Sequence, residues 1–305
     1  IRDRDVTGVQ TCALPISYNS AFGVGALQAN TTASNNTAVG YQAGYSNTTG
    51  TGLAFFGRVA GQANTTGTDN TALGYNSFYS NQTGSQNTAV GSSVLFNSTA
   101  GQNTGVGYAA LNATTSGGSN TAVGAGALQS NTTANSNTAV GYQAGYSNTS
   151  GPYHAFVGYQ AGYSNTSGAE NTALGWLALY ANQTGNYNVA LGGEALKNNT
   201  SNGNVAVGTA TLYNNTTGGN NTAIGGADIA SFYNALARNT TGSYNIAVGG
   251  GALNANTTAN YNVAMGWQAL GSNTTASSNT AVGYQAGYSN TTGAGHVYLG
   301  YQSGY

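Results

Sequence analysis

From Asn19 onward the sequence repeats itself every 17 residues, with rare slips. Units begin at Asn19, Asn36, Leu53, Asn70, Asn87, Asn103, Asn120, Asn137, His154, Asn171, Asn188, Asn204, Asn221, Asn245, Asn262, Asn279 and His296. A typical unit, Asn36 to Gly52, reads NTAVGYQAGYSNTTGTG. Position five is Gly in every unit, from Gly23 to Gly300. Position four is always apolar, position three is nearly always Ala, and position nine is usually Leu, as in Leu27, Leu128, Leu196 and Leu253.

So short a period leaves few folds. Helical repeats need ~33 residues or more, and leucine-rich repeats need about 20 or more. Seventeen residues suffice for one coil of a β-solenoid, so the expected fold is all-β, a parallel β-solenoid (β-roll) of about 17 coils over residues 18–305. Positions two to four, Thr/Val–Ala–Val, read as a short strand. Positions two and four are expected to point inward and Ala at three outward or toward a neighbour. The Gly at five suits a corner with positive φ, and SNTTG is turn chemistry.

Composition narrows the function. Charged residues make up 4% of the chain, with five Lys+Arg, six Asp+Glu and two His. Five cations cannot track a phosphate backbone, so no nucleic-acid partner is expected. A single Cys excludes a disulfide framework and a Cys-based zinc site. The acids Asp69, Glu170, Glu194 and Asp228 are scattered, without the spacing of a calcium loop. The expectation is no enzyme, with no catalytic residues, cofactor or metal. No apolar run is long enough for a membrane helix. The 22 Tyr argue against a disordered chain.

Residues 1–17, IRDRDVTGVQTCALPIS, do not share the repeat. The stretch VTGVQTCALPIS looks like a translated sequencing adapter, so residues 1–17 are read as an artefactual leader. The chain has no starting Met and stops mid-pattern at Tyr305, so it is expected to be a fragment of a longer fibre.

The units NVALG (Asn188–Gly192), NVAVG (Asn204–Gly208), NIAVG (Asn245–Gly249) and NVAMG (Asn262–Gly266) resemble the V-A-I-G repeats of trimeric autotransporter adhesin heads. Phage-type tail fibres carry similar repeats. The resemblance covers residues 19–305. It implies a parallel β-roll, a homotrimer or filament of identical chains, and a structural or adhesive role at a cell or virion surface or outside the cell. A cell-surface glycan or protein receptor would be the partner. The units here are about three residues longer than the family's, mostly in the NTT loop. A phage-type tail fibre, a self-assembling glycan-coated filament and an ice-binding solenoid are the alternative functions.

Several features are candidate sites. Asn at position one recurs in 14 of 17 units and is expected to form a ladder of stacked amides. Sequons recur near position twelve, at Asn30, Asn47, Asn64, Asn81, Asn97, Asn112, Asn131, Asn148, Asn165, Asn182, Asn199, Asn215, Asn239, Asn256, Asn273 and Asn290. They read either as glycosylation sites or as turn composition copied by the repeat. Tyr rows from YQ(A/S)GY read either as a binding stripe or as cross-coil packing. The Thr pairs of the turn are adjacent, which sets them on opposite faces and weighs against ice binding.

The unit at Asn221 is about seven residues longer than the others. Its Ile229, Phe232, Tyr233 and Leu236 fall on one face of a short helix over 228–238, capped by Asp228 and ended by Arg238. These six residues form a candidate binding insertion, with a simple lid as the alternative. A last pattern concerns exceptions. Gly replaces Leu at position nine in three adjacent pairs of units, Gly44/Gly61, Gly145/Gly162 and Gly287/Gly304. The second unit of each pair has Phe55, Phe156 or Tyr298 at position three, so a ring is expected to fill the space that the Leu vacates.

Overall fold

The structure is a computed structural model, and it describes residues 18–226 and 233–305. The leader 1–17 and part of the insertion, including Asp228, Ile229 and Phe232, lie outside the described residues. The chain forms two compact units, one ending at Ser150 and one running from Gly151 to Tyr305.

Both units are parallel β-solenoids. The first contains strands β1 (Ser20–Phe22) to β8 (Thr138–Val140), and the second contains β9 (Ala155–Val157) to β17 (Val297–Leu299). Each strand is three residues long and occupies positions two to four of its coil. Successive strands pair parallel and one coil apart, as in Thr71↔Thr88, Ala72↔Ala89 and Leu73↔Val90. The rest of each coil is a stack of turns, also hydrogen-bonded to its neighbours. In one such ladder Leu128 N–H donates to Ala144 O at 3.0 Å, and in another Thr132 N–H donates to Thr149 O at 3.0 Å. Each coil thus satisfies its backbone mainly through the coils above and below, as a one-dimensional repeat requires.

The strand faces the opposite way from the expectation. The middle residue, Ala38, Ala72 or Ala139, is fully buried, while positions two and four are half-buried or exposed. The reason is the width of the interior. Position three faces position eight of the same coil: a Cβ on Gly105 would stand 3.8 Å from the Ala110 Cβ. Where Leu stands at position nine, only methyl-sized groups fit across that gap, so Ala points in and the branched residues point out. Leu at position nine completes the core, and Leu128, Leu196 and Leu253 are fully buried as expected.

The corners are left-handed. Gly at position five has φ between +111° and +140°, with Gly300 and Gly74 at the extremes. A Cβ on Gly57 would stand 2.5 Å from the Gly74 carbonyl oxygen, so stacking as well as φ demands glycine there. Positions seven, nine and seventeen are also left-handed, and ordinary side chains occupy them, as in Gln143 (φ 52°), Leu128 (φ 49°) and Tyr261 (φ 58°).

Among the described residues there is no helix. The helix expected over 228–238 is corrected for its described part, since Ala235 to Arg238 form the same turn as in other coils. Leu236 is the buried position-nine leucine of its coil, and its N–H donates to Ala252 O at 3.1 Å. Its spacing from Tyr233 reflects the coil and not a helical face.

Candidate functional site

Two ladders of asparagine run inside the coils. In the first, the leading Asn of one coil accepts from the next: Asn120 N–H donates to Asn103 Oδ1 at 2.9 Å, and Asn120 Nδ2 donates to Ala134 O at 2.9 Å. The same pattern holds across the seven-residue insertion, where Asn245 N–H donates to Asn221 Oδ1 at 2.9 Å.

The second ladder is built from the sequon asparagines. Asn64 Nδ2 donates to Asn47 Oδ1 at 3.0 Å and to Gly67 O at 3.1 Å. From Asn199 the ladder runs through Asn215, Asn239, Asn256 and Asn273 to Asn290. Asn47, Asn64, Asn81, Asn131, Asn148, Asn165, Asn182, Asn199, Asn215, Asn239, Asn256 and Asn273 are fully buried. A glycan on Nδ2 would break the rung and has no room, so the burial argues against glycosylation at these twelve. Asn30, Asn112 and Asn290 are half-buried, and Asn97 is exposed. Asn97 and Asn112 are out of phase with the ladder, because Ser98 and Thr114 take the buried rungs there. The Asn81 amide, whose next coil offers Ser98, has no hydrogen-bond partner.

Phe55 interlocks with both of its glycines as expected, Phe156 with Gly162, and Tyr298 with Gly287 and Gly304. Phe55 and Phe156 are fully buried. A Cβ on Gly44 would stand 3.0 Å from the Phe55 ring, and one on Gly61 would stand 2.5 Å from it. The ring of Phe156 lies in the same way against Gly162, at 2.7 Å. A signal missed in the sequence sits beside these rings: the three units without a leading Asn, at Leu53, His154 and His296, are the same three with an aromatic at position three. His154 stacks on Phe156 with centroids 4.5 Å apart. It imitates the asparagine it replaces, since its Nδ1 accepts from Asn171 N–H at 3.1 Å and its ring also bonds the Gly168 backbone. Burial outweighs both bonds and lowers its pKa to about 4. Val94 and Gly105 form another compensating pair: a Cβ on Gly105 would meet Val94 Cγ1 at 2.5 Å.

With Ala turned inward, the outer face of the sheet carries three columns. Position two is mostly Thr in the first unit, including Thr37, Thr71, Thr88, Thr104, Thr121 and Thr138. Position four is apolar and open to solvent, with Leu73 48% and Leu174 51% exposed. Position six carries exposed rings, among them Tyr41, Tyr75, Tyr142, Tyr159, Trp176, Trp267, Tyr284 and Tyr301. The two Trp lie over glycines at the same position of an adjacent coil, Trp176 on Gly193 and Trp267 on Gly250. Both readings of the YQ(A/S)GY tyrosines have a place. The first Tyr of the motif is exposed, and the second stacks across coils in Tyr163–Tyr180 (5.2 Å) and Tyr288–Tyr305 (5.6 Å).

The described part of the insertion borders a cleft of about 250 Å³ in the second unit. Tyr233 and Tyr288 wall it, Gly251 and Gly271 lie along it, and Arg238, Gln268 and Ser272 bring polar groups to it. Position ten holds a ring at Tyr163, Tyr180, Tyr213, Tyr288 and Tyr305, but Lys197, Ala237, Asn254 and Gly271 stand there in the other coils of this unit. Of the six candidate insertion residues, the structure thus brings Tyr233 and Arg238 to a surface site and places Leu236 in the core. Among the described residues no group of three or more His, Cys, Asp or Glu could hold a metal ion, and no helix is long and apolar enough to cross a membrane. No family profile, curated protein or solved structure matches the chain.

Proposed function

We propose that the chain is a non-enzymatic structural and adhesive segment of an extracellular or surface fibre. The observation that carries this reading is the outer sheet face, where coil after coil repeats an outward apolar residue at position four beside frequent rings at position six. The interior asparagines and leucines hold the coils to one another, whereas these columns meet solvent. A continuous exposed apolar stripe is a contact surface for another molecule or another copy of the chain. Self-association as a trimer or filament would cover it. The test coats beads with the full chain and measures their retention under flow on glycan-coated and protein-coated surfaces. A second sample, with Leu73, Leu174 and Met265 changed to Thr, reports on the stripe. Retention of the first and release of the second supports the reading; equal behaviour of both with uncoated beads overturns it.

A second reading, ice binding, is favoured by one observation. The position-two threonines of the first unit form an outward column on the sheet, unlike the turn threonines, where Thr48 Oγ1 donates to Thr65 O at 3.1 Å. Thermal hysteresis at micromolar protein, lost on changing Thr71, Thr88 and Thr104 to Lys, supports this reading, and its absence removes it.

A further inference from the structure

We propose that the cleft beside the insertion binds a saccharide bearing a carboxylate, of the uronate or sialic acid type; this rests on the adhesive reading and names its ligand. Three observations carry the inference. The cleft is walled by two rings, Tyr233 and Tyr288, and the C–H faces of a sugar pack on rings of this kind. Its polar groups include donors, beside Asn254, whose Nδ2 already donates to Asn234 O at 3.0 Å. Gln268 Oε1 is already engaged by Gln285 Nε2 at 2.8 Å, which leaves the Gln268 amide N–H groups for a ligand, and the Ser272 hydroxyl adds another donor. Arg238 on its rim is exposed and in no ion pair with a described residue, and among the described residues no other charged side chain lines the cleft. An unpaired guanidinium matches a carboxylate in charge and in its two-pronged geometry.

The position of the cleft supports the same conclusion. Position ten carries stacked rings in some coils of the second unit, as in Tyr163 on Tyr180, while Lys197, Ala237, Asn254 and Gly271 stand there in others. Gly271 has no side chain beside the Tyr288 ring, which keeps the cleft open to a flat ligand between Tyr288 and the Arg238 side. The sugar ring would take the place of the absent side chain. A peptide C-terminus also carries a carboxylate, but it has no flat face for two aromatic walls.

The test uses the full chain, immobilised, with trigalacturonate and sialyllactose as acidic probes, maltotriose and lactose as neutral ones, and a short peptide with a free C-terminus. At least one acidic sugar is expected to bind about tenfold or more tighter than its neutral counterpart, and to weaken as salt rises. Whichever acidic sugar binds identifies the source. Arg238→Gln should bring its affinity down to the neutral level. Gly271→Tyr should abolish binding by placing a ring in the cleft. Because Arg238 is exposed, its replacement leaves the fold intact and keeps the test decisive even if the Tyr variant misfolds. Equal affinity for acidic and neutral sugars, tighter binding of the peptide, no binding of any probe, or unchanged binding by Arg238→Gln would each overturn the proposal. Beads that adhere while no probe binds defeat this inference and leave the adhesive reading standing; probe binding without bead adhesion does the reverse.

Discussion

Phe55 offers the sharpest test of how this interior is filled. Its ring is fully buried and fills the space that two position-nine leucines would occupy in ordinary coils. Phe55→Ala should therefore cost about 3–5 kcal/mol, the range for emptying a Phe-sized site in a core. Gly61→Leu alone should also destabilise. The new Cβ would stand 2.5 Å from the ring, and overpacking of this kind costs about 1–3 kcal/mol. The backbone itself does not forbid the leucine: Gly61 has φ 60°, close to the 53° of Leu111 and the 49° of Leu95 at the same position. The double variant recreates half of an ordinary coil pair, with Ala at three and Leu at nine. Its loss should be smaller than the sum of the single losses by about 2 kcal/mol or more, within the range of couplings between touching residues. Adding Gly44→Leu completes the ordinary pattern and should recover more. Equilibrium urea unfolding of the four proteins, followed by circular dichroism, measures the cycle. Losses that add to within ~0.5 kcal/mol would show that ring and glycines are independent and would refute the filling argument.

Other expectations follow from the same interior. His154 has a folded pKa of about 4 against an ordinary 6.5, so the unfolded chain binds its proton first; stability should be full above about pH 6.5 and fall as the pH drops toward 4, by at most ~3 kcal/mol. His154→Asn should flatten that slope while keeping the rung, and urea midpoints measured from pH 7 to 4 would expose an unchanged slope. Asn120→Ala should cost about 1–3 kcal/mol by stranding the buried Asn137 N–H, while Ala134 O keeps its bond from Asn131 Nδ2 at 3.1 Å, whereas exposed Asn97→Ala should stay within ~0.5 kcal/mol; a reversed order in urea unfolding would contradict the ladder assignment. Gly105→Ala should destabilise by about 1–3 kcal/mol through its clash with Val94, and Val94→Ala in the same chain should relieve the clash, which thermal melts of the two variants can check. If the chain is secreted from a glycosylating host, site-resolved mass spectrometry of the folded product should find sugar at none of the twelve buried sequons, and sugar on Asn215 would refute the second ladder.

The period and the invariant glycine made the coil legible in the sequence, because 17 residues are too few for a helical or leucine-rich repeat and the glycine marks a fixed corner. The pairing of Phe55 and Phe156 with glycines was also readable, since a loss of volume and a gain of volume recur together. The facing of the strand was not. Thr–Ala–Val looks like a strand with branched residues inside, and only the closeness of position eight shows that nothing larger than Ala fits there in a coil with Leu at nine. The left-handed sites at seven, nine and seventeen were hidden too. Gly and Asn advertise such backbone, whereas Leu128, Gln143 and Tyr261 do not, and only stacking imposes it. The second ladder lay concealed in a familiar motif: Asn47 and Asn64 spell sequons, yet their constant phase, with Ser98 and Thr114 standing in, was the mark of a structural role. The cleft could not be foreseen, because it depends on Gly271, Arg238 and Tyr233, which come together only when coils stack.

The coil that carries the insertion shows what the corner after position five can absorb. Ala235 N–H still donates to Gly225 O at 3.0 Å, closing the turn much as Ala43 N–H closes on Gly40 O at 3.3 Å in a coil without extra residues. Both asparagine ladders pass the longer coil, with Asn239 Nδ2 on Asn215 Oδ1 at 2.7 Å. The scaffold therefore separates inheritance of shape from experiment in surface. After Gly225 new sequence has been taken in while core register is kept by residues that never take part. For an engineer the same corner is a socket: a foreign loop placed after Gly74 or Gly175 would be displayed at a known edge of a coil without redesign of the interior.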